Sequence, residues 1–277
     1  MRLIGQLVAV ALVAFAGAQL IGAVGDGGLL TLVIGVATAV LAVAAYTWVV
    51  RWTERRRPVE VGAAGAAGAL GRGVLVGVGM FAFVIANIAL LGGYGVDGVG
   101  SVASAAGLVG FMAAAAVTEE LMFRGILFRL LEKWAGTWIA LALTAVLFGA
   151  SHLLNPHASL WGAIAIAVEA GGMLAAAYAA TRTLWLPIGL HFGWNFAAAG
   201  IFGTEVSGNG TPDGLLRGET SGPLLVSGGE FGPEGSLFAV LAGVVLTVVF
   251  LWLARRRGHL VPRGGRAPGA VTTTLAR

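Results

Sequence analysis

The chain has 277 residues, 58% of them hydrophobic and only 11% charged, with 45 glycines and a mean hydropathy of +0.90. Soluble domains carry about 25% charged residues, so this composition excludes one and predicts an all-α, polytopic transmembrane helical bundle in the cell membrane. The formal charge of +4 does not indicate nucleic acid, because the basic residues fall between apolar runs, as topology determinants do. With no cysteine, disulfides, thiolate nucleophiles and cysteine metal sites are excluded as well.

In chain order the apolar runs predict eight spans, since about 17–25 apolar residues cross a hydrocarbon core about 30 Å thick. Leu3 to Val24 is the first, longer than the core of a signal peptide and followed by more spans, so it is expected to remain. Leu29 to Val50 is the second and ends at Arg51, Arg55, Arg56 and Arg57. A Gly/Ala linker is expected from Pro58 to Arg72, then a third span from Val74 to Tyr94 and a fourth from Val102 to Phe128. The fifth to seventh are Trp138 to Leu154, Leu160 to Thr181 and Leu184 to Phe202. Thr204 to Ser236 is rich in Gly, Ser and Pro and reads as an external loop. Leu237 to Ala254 is the eighth span, stopped by Arg255, Arg256 and Arg257 and a Pro/Gly-rich tail. With the amino terminus inside, almost every basic residue falls on the cytoplasmic side, and both termini are cytoplasmic. Only Arg217 falls outside.

The fourth span carries Thr118-Glu119-Glu120-Leu121-Met122-Phe123-Arg124. A charged residue at the centre of a bilayer costs about 2.5–3.5 kcal/mol on insertion scales, so one retained there marks a functional site. On a helix Glu120 and Arg124 are four apart and share a face, acid before base. Glu119 points about 100° away. Arg124 therefore neutralises one carboxylate and leaves the other free. A purely structural ion pair explains Glu120 and Arg124, but not Glu119.

Two further polar sets follow. Phe148 and His152 are four apart near the end of the fifth span, and His191 and Asn195 are four apart in the seventh. A lone intramembrane histidine is ordinarily a satisfied interhelical hydrogen bond; three spans each with polar groups on one face point to a shared cavity. The fourth and fifth spans should turn near Gly136, which brings Glu119 and His152 to similar depth. His191 lies only about 12 Å into its span at 1.5 Å per residue, a mismatch unless the charged end of the fourth span projects beyond the membrane. Glu169, in the sixth span, is expected either to orient a catalytic histidine or to make an unrelated interhelical hydrogen bond.

Glu-Glu-x-x-x-Arg, Phe-x-x-x-His and His-x-x-x-Asn, in this order on successive helices, resemble the CPBP family of intramembrane endopeptidases, which includes the type II CAAX prenyl proteases. The resemblance covers about Val102 to Phe202 and implies a catalytic core at 101–203. Residues 1–100 then form amino-terminal spans with a basic cytoplasmic loop, 204–236 an external loop, and 237–277 the last span with its tail. It also implies catalysis by Glu119 with His152 as the water-activating base, an oxyanion pair in His191 and Asn195, and a supporting ion pair in Glu120 and Arg124, with Phe148 beside them.

The residues themselves are compatible with that chemistry. A desolvated carboxylate suits a general base, and without a thiol nucleophile, water is the natural attacking group. Two metal readings stay open: metal-free hydrolysis, which is favoured, or a zinc site of Glu119, His152 and His191 with an open water position. The substrate is expected to be a peptide or membrane protein within the lipid bilayer. Two other classes remain, a proton-coupled transporter using the buried Glu/His cluster and a silent scaffold binding a membrane partner through the same cavity.

Overall fold

The computed structural model describes residues 2–25, 28–210 and 213–264; the rest of the predicted basic tail lies outside the described residues. Helix α1 (Arg2–Val24) packs on α2 (Leu29–Glu54), and α2 packs on α4 (Val102–Glu120). Helix α3 (Ala66–Leu90) lies along α9 (Trp185–Phe196). Helices α6 (Thr137–Ser151), α7 (Leu160–Ile166), α8 (Met173–Thr181) and α11 (Leu237–Arg256) complete the bundle. Serines cap three of these starts. Ser101, Ser159 and Ser236 accept hydrogen bonds from the backbone amides of Ser104, Gly162 and Ala239, satisfying donors that a helix amino terminus leaves free.

Among the described residues seven helices are long and apolar enough to cross a membrane. The predicted seventh span is different. It is α9, 12 residues long, continued by a π-helical turn at Ala197–Ile201, and it is buried inside the bundle rather than turned to lipid.

Close backbone packing explains its place. In lipid, helices gain little from burying apolar surface against each other and instead approach through small residues. Gly73 and Gly77 of α3 face Gly189 and Gly193 of α9, each pair spaced four apart. A Cβ on Gly77 would lie 2.3 Å from the Leu190 carbonyl oxygen, and one on Gly193 would lie 2.5 Å from that of Val74. No side chain fits there, and the pair of glycine steps sets α9 in its register.

Three expectations are corrected. The predicted linker from Pro58 to Arg72 contains a 3₁₀ turn at Val59–Val61, and α3 begins at Ala66, because Gly/Ala composition weakens a helix without forbidding it. The fourth helix does not stop at Phe128. It runs on through a π segment at Leu121–Phe128 into α5 (Arg129–Ala135), 34 residues in all, or about 51 Å at 1.5 Å per residue. The third concerns the loop. Strand β1 (Tyr94–Val99) pairs antiparallel with β2 (Leu216–Thr220), and a short helix α10 (Leu224–Ser227) follows, so 204–236 carries secondary structure of its own.

At one end of the bundle, charges are tied in pairs. Arg129 binds Glu54 at 2.5 Å, Arg56 binds Glu60 at 2.6 Å and Glu54 at 2.8 Å, and Arg182 binds Glu132 at 2.5 Å. Burial pushes the Glu60 carboxyl up, but hydrogen bonds and charge from Arg56, helped by Arg129, outweigh it and hold Glu60 below the usual carboxylate range. The opposite end carries Asp97, Glu205, Asp213, Glu219 and Glu230 around Arg217. The two ends therefore differ sharply in sign.

Candidate active site

The long fourth helix delivers the acidic motif to the middle of the bundle. Glu120 is fully buried and Arg124 nearly so, and they pair at 2.7 Å. The second guanidinium nitrogen of Arg124 donates to the carbonyls of Ala170 and Gly171, each at 3.1 Å. Those carbonyls belong to a π segment, Ala167–Gly172, whose wide turn leaves oxygens for outside donors. Arg124 also lies over the Phe148 ring, 4.6 Å from its centroid. One side chain thus joins α4, the sixth span and the Phe-x-x-x-His helix.

Glu120 has a second partner that its sequence position did not announce. Its Oε1 stands 3.0 Å from Nδ1 of His191, so the same carboxylate that pairs with Arg124 orients the histidine of α9. Nε2 of His191 faces Glu119, with 3.9 Å between that nitrogen and the carboxylate. The depth mismatch between Glu119 and His191 is thereby resolved. At 34 residues the fourth helix is longer than a core about 30 Å thick requires, and its acidic motif comes level with His191.

His152 follows α6, and its Nδ1 lies 2.8 Å from the Phe148 carbonyl oxygen. A carbonyl only accepts, so Nδ1 is the donor here, and in the neutral ring Nε2 is the acceptor. Phe148 is the packing centre of the site. Its ring meets Phe123 edge-on at 4.9 Å, His152 at 5.0 Å and His191 at 5.9 Å.

Glu119, His152, His191 and Asn195 line one cavity of about 710 Å³. Its apolar wall comes from α4 and the π segment after it, including Leu108, Phe111 and Met122, and its polar wall includes Asn155 and Ser207. Among the described residues Glu119 is the only carboxylate lining this space, its side chain 30% exposed. All three π-helical segments among the described residues lie beside predicted site residues: after Glu120, around Glu169 and after Asn195.

Glu169 meets neither expectation. It is fully buried, and among the described residues neither carboxylate oxygen has a hydrogen-bond partner, on either histidine or on another helix. Sequence reasoning also missed the part played by the loop. Glu234, almost fully buried, accepts from Trp194 Nε1 at 2.7 Å and from the amide and hydroxyl of Ser207 at 2.5 and 2.7 Å. Asn155 donates to the Ser207 carbonyl at 2.6 Å. The segment around Ser207 is thus clamped between the end of α6 and the residue beside Asn195, and it walls the cavity. One glutamate among the five acids of a Gly/Pro-rich stretch carried no signal of that.

The metal alternative can be tested on the same distances. Zinc ligation needs about 2.0–2.2 Å to each nitrogen or oxygen from one point. Nδ1 of each histidine is engaged, by Glu120 and by the Phe148 carbonyl, which leaves each Nε2 outward, as it is in histidines that ligate metals. Among the described residues no three His, Asp or Glu side chains form a metal-ligating group.

Fold and site together define a class, a multi-pass membrane protein with an acid and histidine cavity among its helices. Residues 101–197 match the family model described as type II CAAX prenyl endopeptidase Rce1-like. This match supports assignment of the segment to the CPBP/CAAX protease family, and with it an intramembrane endopeptidase in general terms. No curated protein and no solved structure matches the chain.

Proposed function

We propose that the chain hydrolyses a peptide bond inside the membrane with a water activated by Glu119 and His152, without a metal. The observation that carries this reading is one cavity lined by Glu119, His152, His191 and Asn195, with Nδ1 of each histidine already engaged. His152 Nε2 is left to accept, as a base holding water must. Glu119, partly exposed to the cavity, takes the proton and passes it to the leaving amine. Nδ1 of His191 is held by Glu120 at 3.0 Å, while its Nε2 is 3.9 Å from Glu119; in this reading Nε2 and Asn195 are the donors to the oxyanion. Each such donor is worth about 2.7–4 kcal/mol in comparable sites.

The arrangement of charge supports an orientation. By the positive-inside rule the end holding Arg56, Arg129 and Arg182 is cytoplasmic, and so are both termini. The cavity includes Asn209, an exposed residue of the opposite end, so its mouth lies on the external face. A substrate arriving from that face is an exported or membrane-embedded peptide, not a prenylated tail in the cytosol.

The chain has no cysteine, which makes the orientation directly measurable. Asn209→Cys should react with a membrane-impermeant maleimide in intact cells, and Trp134→Cys, 83% exposed at the basic end, only after the membrane is opened. The reverse pattern contradicts the orientation and leaves the chemistry standing.

The activity itself is tested in proteoliposomes. Cleavage of an embedded peptide without net proton flux is expected. Proton flux without cleavage would favour the transporter reading instead.

A further inference from the structure

A second cavity, of about 910 Å³, lies at the basic end between the start of α1, the end of α2 and the helix from Leu127 to Trp134. Its floor is apolar, built from Leu3, Leu127, Leu130 and Leu131, with Trp134 at its edge. Arg2, Arg55, Arg56 and Lys133 stand around it. Glu54 is there too, but it is engaged by Arg129, Arg56 and Lys133, at 2.5, 2.8 and 3.6 Å, while Arg56 is shared with Glu60. Among the described residues Arg2 and Arg55 make no ion pair, so uncompensated positive charge remains at the rim. Arg55 is held with φ 53° at the end of α2, a conformation uncommon for a residue with a side chain.

The cavity has one more demand. Gln6 lines it and is fully buried; its Nε2 donates to Thr53 and Glu54, both at 2.8 Å, and among the described residues its Oε1 has no hydrogen-bond partner. Both acceptors fix which end of the amide is the nitrogen, so the orphan is an acceptor with no donor among the described residues. Apolar floor, basic rim and a waiting acceptor at the edge of a membrane bundle together describe a lipid headgroup with its first acyl carbons.

We propose that this cavity is a binding site for an anionic phospholipid with a hydroxyl-bearing headgroup. Arg2 and Arg55 take the phosphate, which arginine meets with paired donors, and Gln6 Oε1 takes the hydroxyl. The acyl chains lie over the leucines and Trp134. Basic pockets between membrane helices hold acidic headgroups for the same reason. The site is independent of the catalytic reading.

Native mass spectrometry of the detergent-purified full chain tests it, with dioleoyl phosphatidylglycerol as the probe. The wild type should retain one molecule at a concentration at least tenfold below that needed for phosphatidylcholine. Arg2→Gln/Arg55→Gln should weaken retention at least fivefold without lowering the melting temperature, whereas Arg72→Gln/Arg255→Gln, on exposed arginines away from the cavity, should not. Should the double variant lose its fold, Arg55→Gln alone gives the same reading. Phosphatidylmethanol, equally charged but without a headgroup hydroxyl, should bind at least threefold more weakly than phosphatidylglycerol. Undiminished retention by a folded arginine variant overturns the site. Displacement of the lipid by equimolar inorganic phosphate or glycerol phosphate overturns the lipid as its occupant, and parity with phosphatidylmethanol removes Gln6 from it.

Discussion

Replacing Arg124 with alanine is expected to lower both the folded yield and the activity of this protein. Arg124 closes the charge of Glu120, caps two carbonyls of the sixth span and stacks on Phe148. Removing one partner of a buried pair costs about 3–5 kcal/mol, because the other charge is left in low dielectric. For a chain of this size that corresponds to a fall in melting temperature of about 10 °C. The Glu120 left behind would still hold His191, so the histidine would be mispositioned rather than released. Arg124→Lys keeps the charge but not the fork that reaches Glu120 and both carbonyls at once. It should recover most of the melting temperature and much less of the hydrolysis rate. A purified Arg124→Ala protein with wild-type stability and rate would show that the ion pair is dispensable.

The second large effect is non-additive. His152→Ala should reduce hydrolysis by about 10² or more, the contribution usual for a positioned general base, and Glu119→Gln should do the same. The double variant should be hardly slower than either single one, because residues that act as a unit on one water are not additive. Rates falling by the product of the two single effects would mean that Glu119 and His152 act on different steps. Neither residue is fully buried, and neither anchors the fold as Arg124 does, so both variants should insert and melt like the wild type.

How much of this could be read from the chain varies with the physics of each part. The helices were legible because a lipid solvent demands long apolar runs, and Glu119, Glu120 and Arg124 because charge in such a run is costly. The turn at Gly136 was legible too, and there the structure shows φ 82°. What was hidden lay mostly in packing. The steps Gly73 to Gly77 and Gly189 to Gly193 were present in the sequence, yet only their meeting shows that α9 is a short buried helix held by α3. The link from Glu120 to His191 depends on the length of the fourth helix, which the apolar pattern ended too early, at Phe128. The π segments depend on tertiary partners such as Arg124 reaching for Ala170 and Gly171. In the loop, the partners of Glu234 come from Trp194 and Ser207, far apart along the chain, and nothing local in a Gly/Pro-rich stretch encodes them. Glu169 remains the exception, a buried acid without a hydrogen-bond partner among the described residues, for which the structure offers no physical account.

Hydrolysis by Glu119→Gln in proteoliposomes, with and without strict chelation of the wild type, tests the central claim most directly. Glutamine keeps the size and hydrogen-bonding reach of the side chain and removes only the base. Metal-free glutamate catalysis predicts that the variant folds, binds the peptide and cleaves it about 10²-fold more slowly or worse, while chelation leaves the wild-type rate unchanged. Loss of the wild-type rate on chelation with recovery on added Zn²⁺ would contradict the metal-free mechanism, and near-wild-type cleavage by a well-folded Glu119→Gln would contradict catalysis at this site.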